Sequence, residues 1–534
     1  MAVAVRCGEN GAHTAARAGG PPIPGWLIAV IVVLGLLALV TVYDLAQRRH
    51  AVLRNFPIIG HLRYLLESFG PELRQYIVTG NDDERPFSRN QRSWIYRSSK
   101  RLDNHFGFGT DNDVERTRDY LILKHAAFPH PPPPGGDPPG SPLPCAKVMG
   151  AARGRRHAFR PASVVNVSGM SFGALSGAAV RALNAGARLA GCLHNTGEGG
   201  LSVHHRQGGD LVFQIGTAYF GCRDASGRFS LPRLVELCGG APVRAIEVKL
   251  SQGAKPGVGG FLPARKVSAE IAQARGVPAG RDVVSPPSHS AFSDVDSLLE
   301  FVETVADATG LPVGIKSAVG ESDFWMELAS RMAETGRGVD FITVDGGEGG
   351  TGAAPLVFAD HVALPFRLGV TRVFREFAMR GLDDGVVFIG SGKLGLPETG
   401  LLAFALGCDM VNVGREAMMA VGCIQAQRCH TGRCPTGVAT QSAWLQRGLD
   451  PQLKSVRLAN YVEVLRGELL ALARTCGHPH PTFVTAEHFE FVTGPATTTA
   501  MERFHYRPGW TLPSAEDQEA IRVIMAAGGV AVGA

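Results

Sequence analysis

Eight short apolar runs constrain the fold of this chain more than any other feature of its sequence. They begin near Val164 and end at Val413, and helix-compatible stretches separate them. Several end in a glycine or a polar residue, as buried parallel strands do. The predicted strands are Val164–Ser168, Cys192–Thr196, Leu211–Gly216, Arg244–Lys249, Pro312–Lys316, Asp340–Val344, Val386–Gly390 and Cys408–Val413. Eight such units predict an α/β fold, a (β/α)8 TIM barrel, with a doubly wound open sheet as the alternative.

Polar residues and glycines follow the carboxyl ends of these runs, where barrel enzymes carry their active sites. Ser168 ends the first run, Glu198 follows the second, Lys249 ends the fourth and Lys316 ends the fifth. The sixth run leads into a glycine-rich loop that contains Gly350. We therefore expect these residues to surround one site at one end of the barrel.

The last two runs predict a phosphate site. They end in Gly390-Ser391-Gly392-Lys393 and in Gly414-Arg415, and the loops after strands seven and eight commonly bind phosphate in this fold. The glycines expose backbone N–H groups, and Arg415 would add bidentate, charge-assisted hydrogen bonds to the phosphate. Lys316 suits the pyrimidine edge of a flavin, where a cation stabilises the anionic reduced form. The alternative role for Lys316 is an internal salt bridge.

Three cysteines form the sharpest motif in the chain. Cys423, Cys429 and Cys434 are separated by five and four residues, and a proline follows the last. This spacing is typical of iron–sulfur ligands, and three ligands favour a [3Fe–4S] cluster. Zinc is the alternative, but it prefers four ligands with CxxC spacing, and His430 alone is close enough to complete the set. The other seven cysteines are scattered and are interpreted as small buried residues.

A membrane-spanning helix is predicted near the amino end. Trp26 to Tyr43 contains no charged side chain, and its eighteen residues can cross the hydrocarbon core. A cleaved signal peptide is the alternative. Basic residues on the carboxyl side outnumber those on the amino side: Arg48, Arg49, Arg54 and Arg63 against Arg6 and Arg17. This bias predicts a single-pass protein of the cell (inner) membrane with a cytoplasmic catalytic domain.

These features divide the chain into five parts. The expected parts are an N-terminal tail (1–25), a transmembrane helix (26–47), an extension with a proline-rich loop (48–160), the barrel with its iron–sulfur segment at 422–440 (161–476) and a C-terminal tail (477–534). The net charge of +5 is mild for 534 residues, and no basic stripe with interleaved aromatic residues occurs. The chain is therefore not expected to bind nucleic acid.

At these motifs the chain resembles the FMN-binding domain of glutamate synthase. The motifs at 195–200, 249–257, 349–353 and 423–440 follow the family's order, and the resemblance covers roughly Val164 to Cys476. It implies a (β/α)8 barrel that carries FMN and a [3Fe–4S] cluster. It also implies that reduced flavin passes a hydride to 2-iminoglutarate, formed from 2-oxoglutarate and ammonia, to give L-glutamate.

The resemblance also implies roles for individual residues. Cys423, Cys429 and Cys434 would hold the cluster. The residues that would contact FMN are Ser168, Lys316, Gly350, Gly392, Gly414 and Arg415. The catalytic residues, facing substrate and flavin, would be Lys249, Glu198, Gln252 and Lys255. The lysines suit an oxo or imino dicarboxylic acid, and the expected partners are an electron donor such as ferredoxin and an ammonia-supplying protein.

Several departures from the family pattern leave other functions open. The amino end carries the apolar helix in place of a glutaminase domain, Gly347-Glu348 replaces His-Asp, and Ser288-His289-Ser290 replaces Pro-His-His. One alternative is a related flavin barrel acting on another oxo acid, an imine or an isoprenoid. A 2-hydroxyacid oxidase is disfavoured because those barrels need no cluster. A membrane-tethered electron-relay protein is the other alternative, although a relay has no need of Lys249, Gln252 and Lys255.

Overall fold

The computed structural model describes residues 24–68, 81–138 and 140–528. Its strands are β1 Leu121–Leu123, β2 Val165–Val167, β3 His194–Asn195, β4 Leu211–Ile215, β5 Val243–Lys249, β6 Phe261–Leu262, β7 Val283–Val284, β8 Val313–Ser317, β9 Phe341–Asp345, β10 Val387–Ser391, β11 Met410–Val413, β12 Phe489–Val492 and β13 Thr497–Thr499. Most of the expected N-terminal tail, with Arg6, Cys7 and Arg17, lies outside the described residues, as do residues 69–80 of the expected extension.

The helices alternate with the barrel strands and flank them at both ends of the chain. They are α1 Gly25–Ala46, α2 Ala51–Asn55, α3 Ile59–Ser68, α4 Arg89–Ser99, α5 Gly177–Ala190, α6 Leu231–Gly239, α7 Ala269–Arg275, α8 Val295–Thr309, α9 Asp323–Thr335, α10 Leu356–His361, α11 Phe366–Ala378, α12 Pro397–Ala405, α13 Arg415–Ala420, α14 Ala443–Gln446, α15 Pro451–Thr475, α16 Ala500–Arg503 and α17 Ala515–Ala526.

The centre of the molecule is a closed barrel of eight parallel strands. The strands follow the order β2-β3-β4-β5-β8-β9-β10-β11, and β11 returns to pair with β2. This closure confirms the predicted TIM barrel and excludes the open sheet. Each predicted run overlaps one barrel strand, because strands covered on both faces must be apolar along their whole length. The antiparallel pair β6–β7 is inserted between β5 and β8.

A buried carboxylate links several strands inside the barrel. Glu247 on β5 is 1% exposed and accepts hydrogen bonds from Asn195 Nδ2 at 2.7 Å, Gln214 Nε2 at 2.6 Å and Thr343 Oγ1 at 2.7 Å. A buried charge is tolerated when such donors surround it. These bonds hold β3, β4, β5 and β9 in register below the carboxyl ends of the strands.

Residues before and after the barrel pack against it. Cys145 and Met149 are buried in one cluster with Val212 and Phe341 from the barrel strands. Strand β12, which follows the barrel, pairs with β1, which precedes it. The helix α1 is long and apolar enough to cross a membrane, and among the described residues it is the one helix that meets these criteria. The division of the chain into five parts stays a prediction.

Candidate active site and cysteine segment

A cavity of about 950 Å³ lies at the carboxyl ends of the barrel strands. All the residues predicted for catalysis and cofactor binding line it: Ser168, Glu198, Lys249, Gln252, Lys255, Lys316, Gly350, Gly392, Gly414 and Arg415. Of the three motif cysteines, Cys429 lines the cavity, while Cys423 and Cys434 are not part of its lining. The structure thus brings the predicted site residues to one place, and their individual roles stay predictions.

Lys249, the last residue of β5, is held between two partners. Its Nζ atom lies 2.9 Å from Glu198 Oε1 and donates to Gln252 Oε1 at 2.8 Å. Burial would raise the pKa of the Glu198 carboxyl, but the charges of Lys249, Lys255 and Arg275 together outweigh this and hold the pKa below its usual value. Glu198 is therefore a carboxylate at neutral pH, and it keeps Lys249 aimed into the cavity.

Two further cations lie around Glu198. Burial lowers the pKa of Lys255 and also that of Arg275, and in each case the Glu198 carboxylate opposes the effect. Both side chains line the cavity. Three cations surround one carboxylate, so this side of the cavity carries an excess of two positive charges when all four groups are ionised. Such an excess fits a ligand with two carboxylates.

Arg275 lies in the cavity although no sequence motif predicts it as a site residue. It ends α7, which follows the inserted strand β6, and its guanidinium lies 4.9 Å from the centre of the Phe220 ring. The arginine is 8% exposed, and its Nε atom has no hydrogen-bond partner among the described residues. No motif surrounds Arg275 in the sequence, so its place in the cavity follows from the way this insertion folds back over the barrel.

Lys316 forms the internal salt bridge that was the alternative to a flavin contact. Its Nζ atom lies 3.5 Å from Asp345 Oδ1, at the end of the neighbouring strand β9. Although burial would lower the pKa of Lys316, the carboxylates of Asp345 and Glu247 raise it above its usual value. Lys316 is thus a fixed cation at the base of the cavity, and it also lines the cavity. The two roles are compatible.

The predicted phosphate loops carry two neighbouring cations. Lys393 and Arg415 both lie over the ring of Phe87, at 5.0 and 5.1 Å from its centre. Burial and the Arg415 charge lower the pKa of Lys393, so an anion between the two would relieve their repulsion. A Cβ atom on Gly350 would come within 2.5 Å of Arg415 Cδ, so glycine is needed there to leave Arg415 its position. These residues fit a phosphate group.

The extension before the barrel supports both the phosphate loops and the cysteines. Phe87, buried under Lys393 and Arg415, donates its backbone N–H to Gln425 Oε1 at 3.0 Å. The Tyr96 hydroxyl, on α4, donates to the carbonyl of Cys423 at 2.9 Å. The sequence alone had assigned no function to this part of the chain. Its contacts show that it holds the cysteine segment in place beside the cavity.

The three motif cysteines are free thiols that lie near one another. Burial, with the neighbouring thiols of Cys434 and Cys429, raises the pKa of Cys423 to about 12. In residues 24–68, 81–138 and 140–528, no three His, Cys, Asp or Glu side chains are gathered closely enough to hold one metal ion. Three thiols are a donor set that an iron–sulfur cluster takes, and the choice between a cluster and zinc stays a prediction.

Two residues within the motifs that differ from the family pattern have structural contacts. The His289 ring donates to the Lys249 carbonyl at 2.9 Å and lies near the Tyr219 hydroxyl, while burial lowers the His289 pKa. Glu348 accepts the backbone N–H of Phe366 at 2.8 Å, at the start of α11. His289 therefore positions the strand end that carries Lys249, and Glu348 caps a helix. Neither side chain lines the cavity.

Comparison with known proteins gives one family. The family model described as the conserved region in glutamate synthase matches residues 151–479. The glutamate synthase large subunit-like protein YerD of Bacillus subtilis is 37% identical over 495 residues, which are 86% of this chain and 93% of that protein. The archaeal glutamate synthase [NADPH] of Methanocaldococcus jannaschii is 34% identical over 316 residues, 59% of each chain. This chain therefore matches little more than half of the archaeal protein.

Solved structures resemble the chain more distantly. A chimera of (S)-mandelate dehydrogenase gives a TM-score of 0.42 at 14% identity and covers 74% of this chain and 98% of its own. A mutant flavocytochrome b2 with pyruvate bound gives a TM-score of 0.41 at 12% identity, with 79% and 91% covered. The closed barrel itself, rather than these likenesses, establishes the fold.

Proposed function

The chain belongs to the glutamate synthase family, and on that basis we propose that it is an FMN-dependent oxidoreductase that reduces an imino or oxo acid. The proposed reaction converts 2-oxoglutarate and ammonia into L-glutamate. The observation that carries this proposal is the group of Lys249, Lys255 and Arg275 around Glu198, which gives one side of the cavity an excess of positive charge. A dicarboxylic substrate matches that charge.

The residues that would hold FMN lie along the cavity beside this group. Lys393 and Arg415, supported by Phe87, would bind the phosphate, Gly392 would offer its backbone N–H group to it, and Gly414, whose N–H is donated to Glu416 Oε2 at 3.3 Å, would contact it closely. Lys316, kept protonated by Asp345, would supply a fixed positive charge near the ring system. Bound FMN, once reduced, supplies the hydride that the reaction needs.

The chain's own side chains would bind the substrate and manage its charge. Lys249 and Arg275 would bind carboxylates, with Lys249 held in place by the ionised Glu198 and by Gln252. Preorganised cations of this kind stabilise negative charge that develops in the transition state. Lys255, whose pKa burial lowers, would be the proton donor to the substrate nitrogen rather than Glu198, because Glu198 carries no proton at neutral pH.

We also propose that Cys423, Cys429 and Cys434 hold a [3Fe–4S] cluster through which electrons reach the flavin. The free thiols and the contact between Cys429 and the cavity support this assignment. The electron donor would be a ferredoxin or a similar carrier, and ammonia would be free or supplied by a partner. Purified protein should contain iron and sulfide, and Cys429→Ser should lose both while keeping flavin; zinc in their place would contradict the cluster.

The apolar helix α1 would anchor the protein in the cell (inner) membrane, with the barrel on the cytoplasmic side. Its side chains are exposed along almost the whole helix, which supports a lipid environment for them. Asp44 is the one residue of α1 that is buried. It lies near the end of the helix and contacts the following segment rather than lipid.

The decisive experiment is product analysis. Full-length protein loaded with FMN and iron–sulfur cluster is given 2-oxoglutarate, ammonium and reduced ferredoxin, and we expect L-glutamate to form. Reactions without ammonium, and reactions with a monocarboxylic oxo acid in place of 2-oxoglutarate, serve as controls. Turnover of another oxo acid but not of 2-oxoglutarate would overturn the proposed substrate. If no oxo acid, imine or isoprenoid reoxidises the reduced protein but an electron acceptor does, an electron-relay role replaces the enzymatic one.

A further inference from the structure

The end of α1 is fixed to the short helices that follow it. Asp44 is fully buried, and its carboxylate accepts the His61 Nε2–H at 2.8 Å and the Ile58 backbone N–H at 3.0 Å. A buried carboxylate must keep such partners, because losing them leaves an uncompensated charge. The chain therefore turns back after α1, and α3 is held beside the end of α1 instead of continuing away from it.

Helix α3 exposes four large apolar side chains. Ile59, Leu62, Leu65 and Leu66 are between 53% and 75% exposed. Their spacing of three, three and one residues places them on one side of a helix. Singly exposed apolar residues are common, but a contiguous exposed patch marks a surface that another apolar phase covers.

A group of basic residues lies next to α3. We call His50, Lys100, Lys454 and Arg457 the basic cluster. The His50 ring stacks edge-on against Tyr64 of α3 at 5.1 Å, and Arg457 Nη2 donates to the carbonyl of the residue before His50 at 3.3 Å. Burial, followed by the charges of Arg457 and Lys100, lowers the pKa of Lys454 to about 7. The charges of Arg457 and Lys100 thus disfavour a charge on Lys454, and an anion at this surface would relieve that repulsion.

Few carboxylates balance these charges. Asp450 lies 3.5 Å from Arg48, and Glu67 is bonded to Arg63. The basic side chains of this region are Arg48, Arg49, His50, Arg54, Arg63, Lys100, Lys454 and Arg457. Among the described residues these basic groups outnumber the three carboxylates of the region, those of Asp44, Asp450 and Glu67, so the surface is complementary to anionic phosphate.

The same region contacts the chain on both sides of the cysteine segment. The Asn55 side chain, on α2, donates to the carbonyl of Pro435, which follows Cys434, at 3.2 Å. It also donates to the carbonyl of Leu445 at 2.7 Å. Lys454 Nζ lies 3.3 Å from the place of a Cβ atom on Gly422, the residue before Cys423. The basic cluster and α2 therefore lie directly against the segment that carries the cysteines.

We propose that α3 and the basic cluster, in which Lys454 is itself buried, form one membrane-contact surface, which lies on anionic phospholipid headgroups and holds the cysteine segment on the bilayer side of the barrel. This inference rests on the proposed membrane anchoring by α1. Twelve residues separate Ala46 from Ile59, so the surface is continuous with the point where α1 leaves the bilayer. Amphipathic helices bind in this way when an apolar face adjoins basic residues. Trp444, 45% exposed and packed edge-on against Phe56, adds an aromatic residue suited to the interface.

The test uses full-length, cofactor-loaded protein in lipid nanodiscs. Hydrogen–deuterium exchange of the α3 amides is compared between discs of phosphatidylcholine alone and discs that also contain phosphatidylglycerol. We expect exchange to slow by about tenfold with the anionic lipid, since helix opening would require leaving the lipid surface. Inorganic phosphate added to the protein in detergent should give no such protection, which distinguishes a headgroup from free phosphate.

Variants separate docking from anchoring. Leu62→Glu with Leu66→Glu should abolish the protection while the protein stays in the disc through α1. Val523→Glu, at a 52% exposed position on α17, is the matched control and should leave the protection unchanged. Lys100→Gln with Arg457→Gln should reduce the dependence on phosphatidylglycerol.

Protein that stays in the discs with α3 equally exposed in both lipids would overturn the docking surface alone. Protein that does not enter the discs would overturn the anchor as well as the surface.

Discussion

Lys249 is the single residue on which the proposed chemistry depends most. Its ammonium has two partners, Glu198 and Gln252, and a third direction open toward the cavity. We expect Lys249→Ala to keep FMN and iron and to lower turnover by roughly a hundredfold, as removal of one preorganised donor does. Flavin absorbance and steady-state turnover, measured on the same sample, check this.

A surface lysine gives the control for that substitution. Lys124, which pairs with Glu490 far from the cavity, should tolerate Lys124→Ala with no change in turnover. If Lys249→Ala loses flavin together with activity, the role of Lys249 is structural, through its ion pair with Glu198. Full activity with normal flavin would remove Lys249 from the site.

His205 gives the fold a measurable dependence on pH. Its Nδ1 atom accepts from Ser202 and its Nε2–H donates to the Met170 carbonyl at 3.0 Å, while burial lowers its pKa to about 4. Between pH 6.5 and about 4 the unfolded chain binds a proton here that the folded chain does not. The free energy of unfolding therefore falls as the pH drops through this window, by about 1.4 kcal/mol per unit for this group.

The replacement His205→Gln tests that dependence. The amide can still donate to Met170 but does not titrate, so the melting temperature of the variant should fall less steeply with acidification than that of the unchanged chain. The two proteins should differ most in slope between pH 6.5 and 4. Parallel curves over that range would show that His205 does not contribute to acid sensitivity.

At the scale of elements, the extension before the barrel has a role in cofactor binding that its sequence does not reveal. The Phe87 ring lies under both Lys393 and Arg415. Phe87→Leu keeps most of the buried volume but removes the ring, and cation–π contacts contribute about 0.5–2 kcal/mol each. We expect the dissociation constant for FMN to rise about tenfold, measured by fluorescence titration of the flavin-free protein.

A second buried phenylalanine serves for comparison. Phe374, 2% exposed, packs against Phe388 away from the phosphate loops, so Phe374→Leu should lower stability without changing FMN affinity. Equal effects of the two substitutions on FMN binding would mean that Phe87 acts through general packing only.

The barrel elements were predictable because their signal is local. Each strand is an apolar run followed by a polar residue or a glycine, and the polar ends met in one cavity as expected from the geometry of parallel strands. Arg275 and Phe87 were not predictable. Arg275 reaches the cavity from an insertion, and Phe87 from a segment more than 300 residues away from Arg415. Contacts at such separations leave no periodic pattern in the sequence.

The ion pair between Lys316 and Asp345 is a second contact that the sequence could not predict. Asp345 could be seen to end the next strand, but whether the two side chains pair or both face a ligand depends on strand register. The pairing of Lys316 with Thr343 across β8 and β9 brings Asp345 into reach. Likewise, β12 finds its partner in β1, far earlier in the chain. From the sequence alone, residues 477–534 are expected to be a separate tail, because no local feature of these residues indicates that pairing.

At the scale of the whole molecule, the barrel should not need α1. Asp44 contacts the segment that follows α1, and Asn55 in that segment bonds to Pro435 and Leu445, whereas the earlier part of α1 is exposed. Deleting residues 1–43 should therefore give a flavin-bound protein that a high-salt wash removes from membranes without detergent, since only the surface of α3 and the basic cluster would still contact lipid. Retention of the shortened protein in washed membranes as tight as that of the full chain would show that α1 is not the main anchor. A natural protein that begins beyond Tyr43 would identify the segment as a cleaved signal.

The hydrogen bonds of Glu247 link the first four barrel strands to the last four. Two of its three donors, Asn195 and Gln214, lie in the first four barrel strands, and the third, Thr343, lies in the last four. If the polypeptide were cut between β5 and β8, the Glu247 carboxylate in the first fragment would lose the hydrogen bond from Thr343. The Thr343 hydroxyl in the second fragment would lose its acceptor. The two half-barrels should therefore be poor folding units alone and should recover their structure only when mixed, as complementing fragments of one cooperative unit.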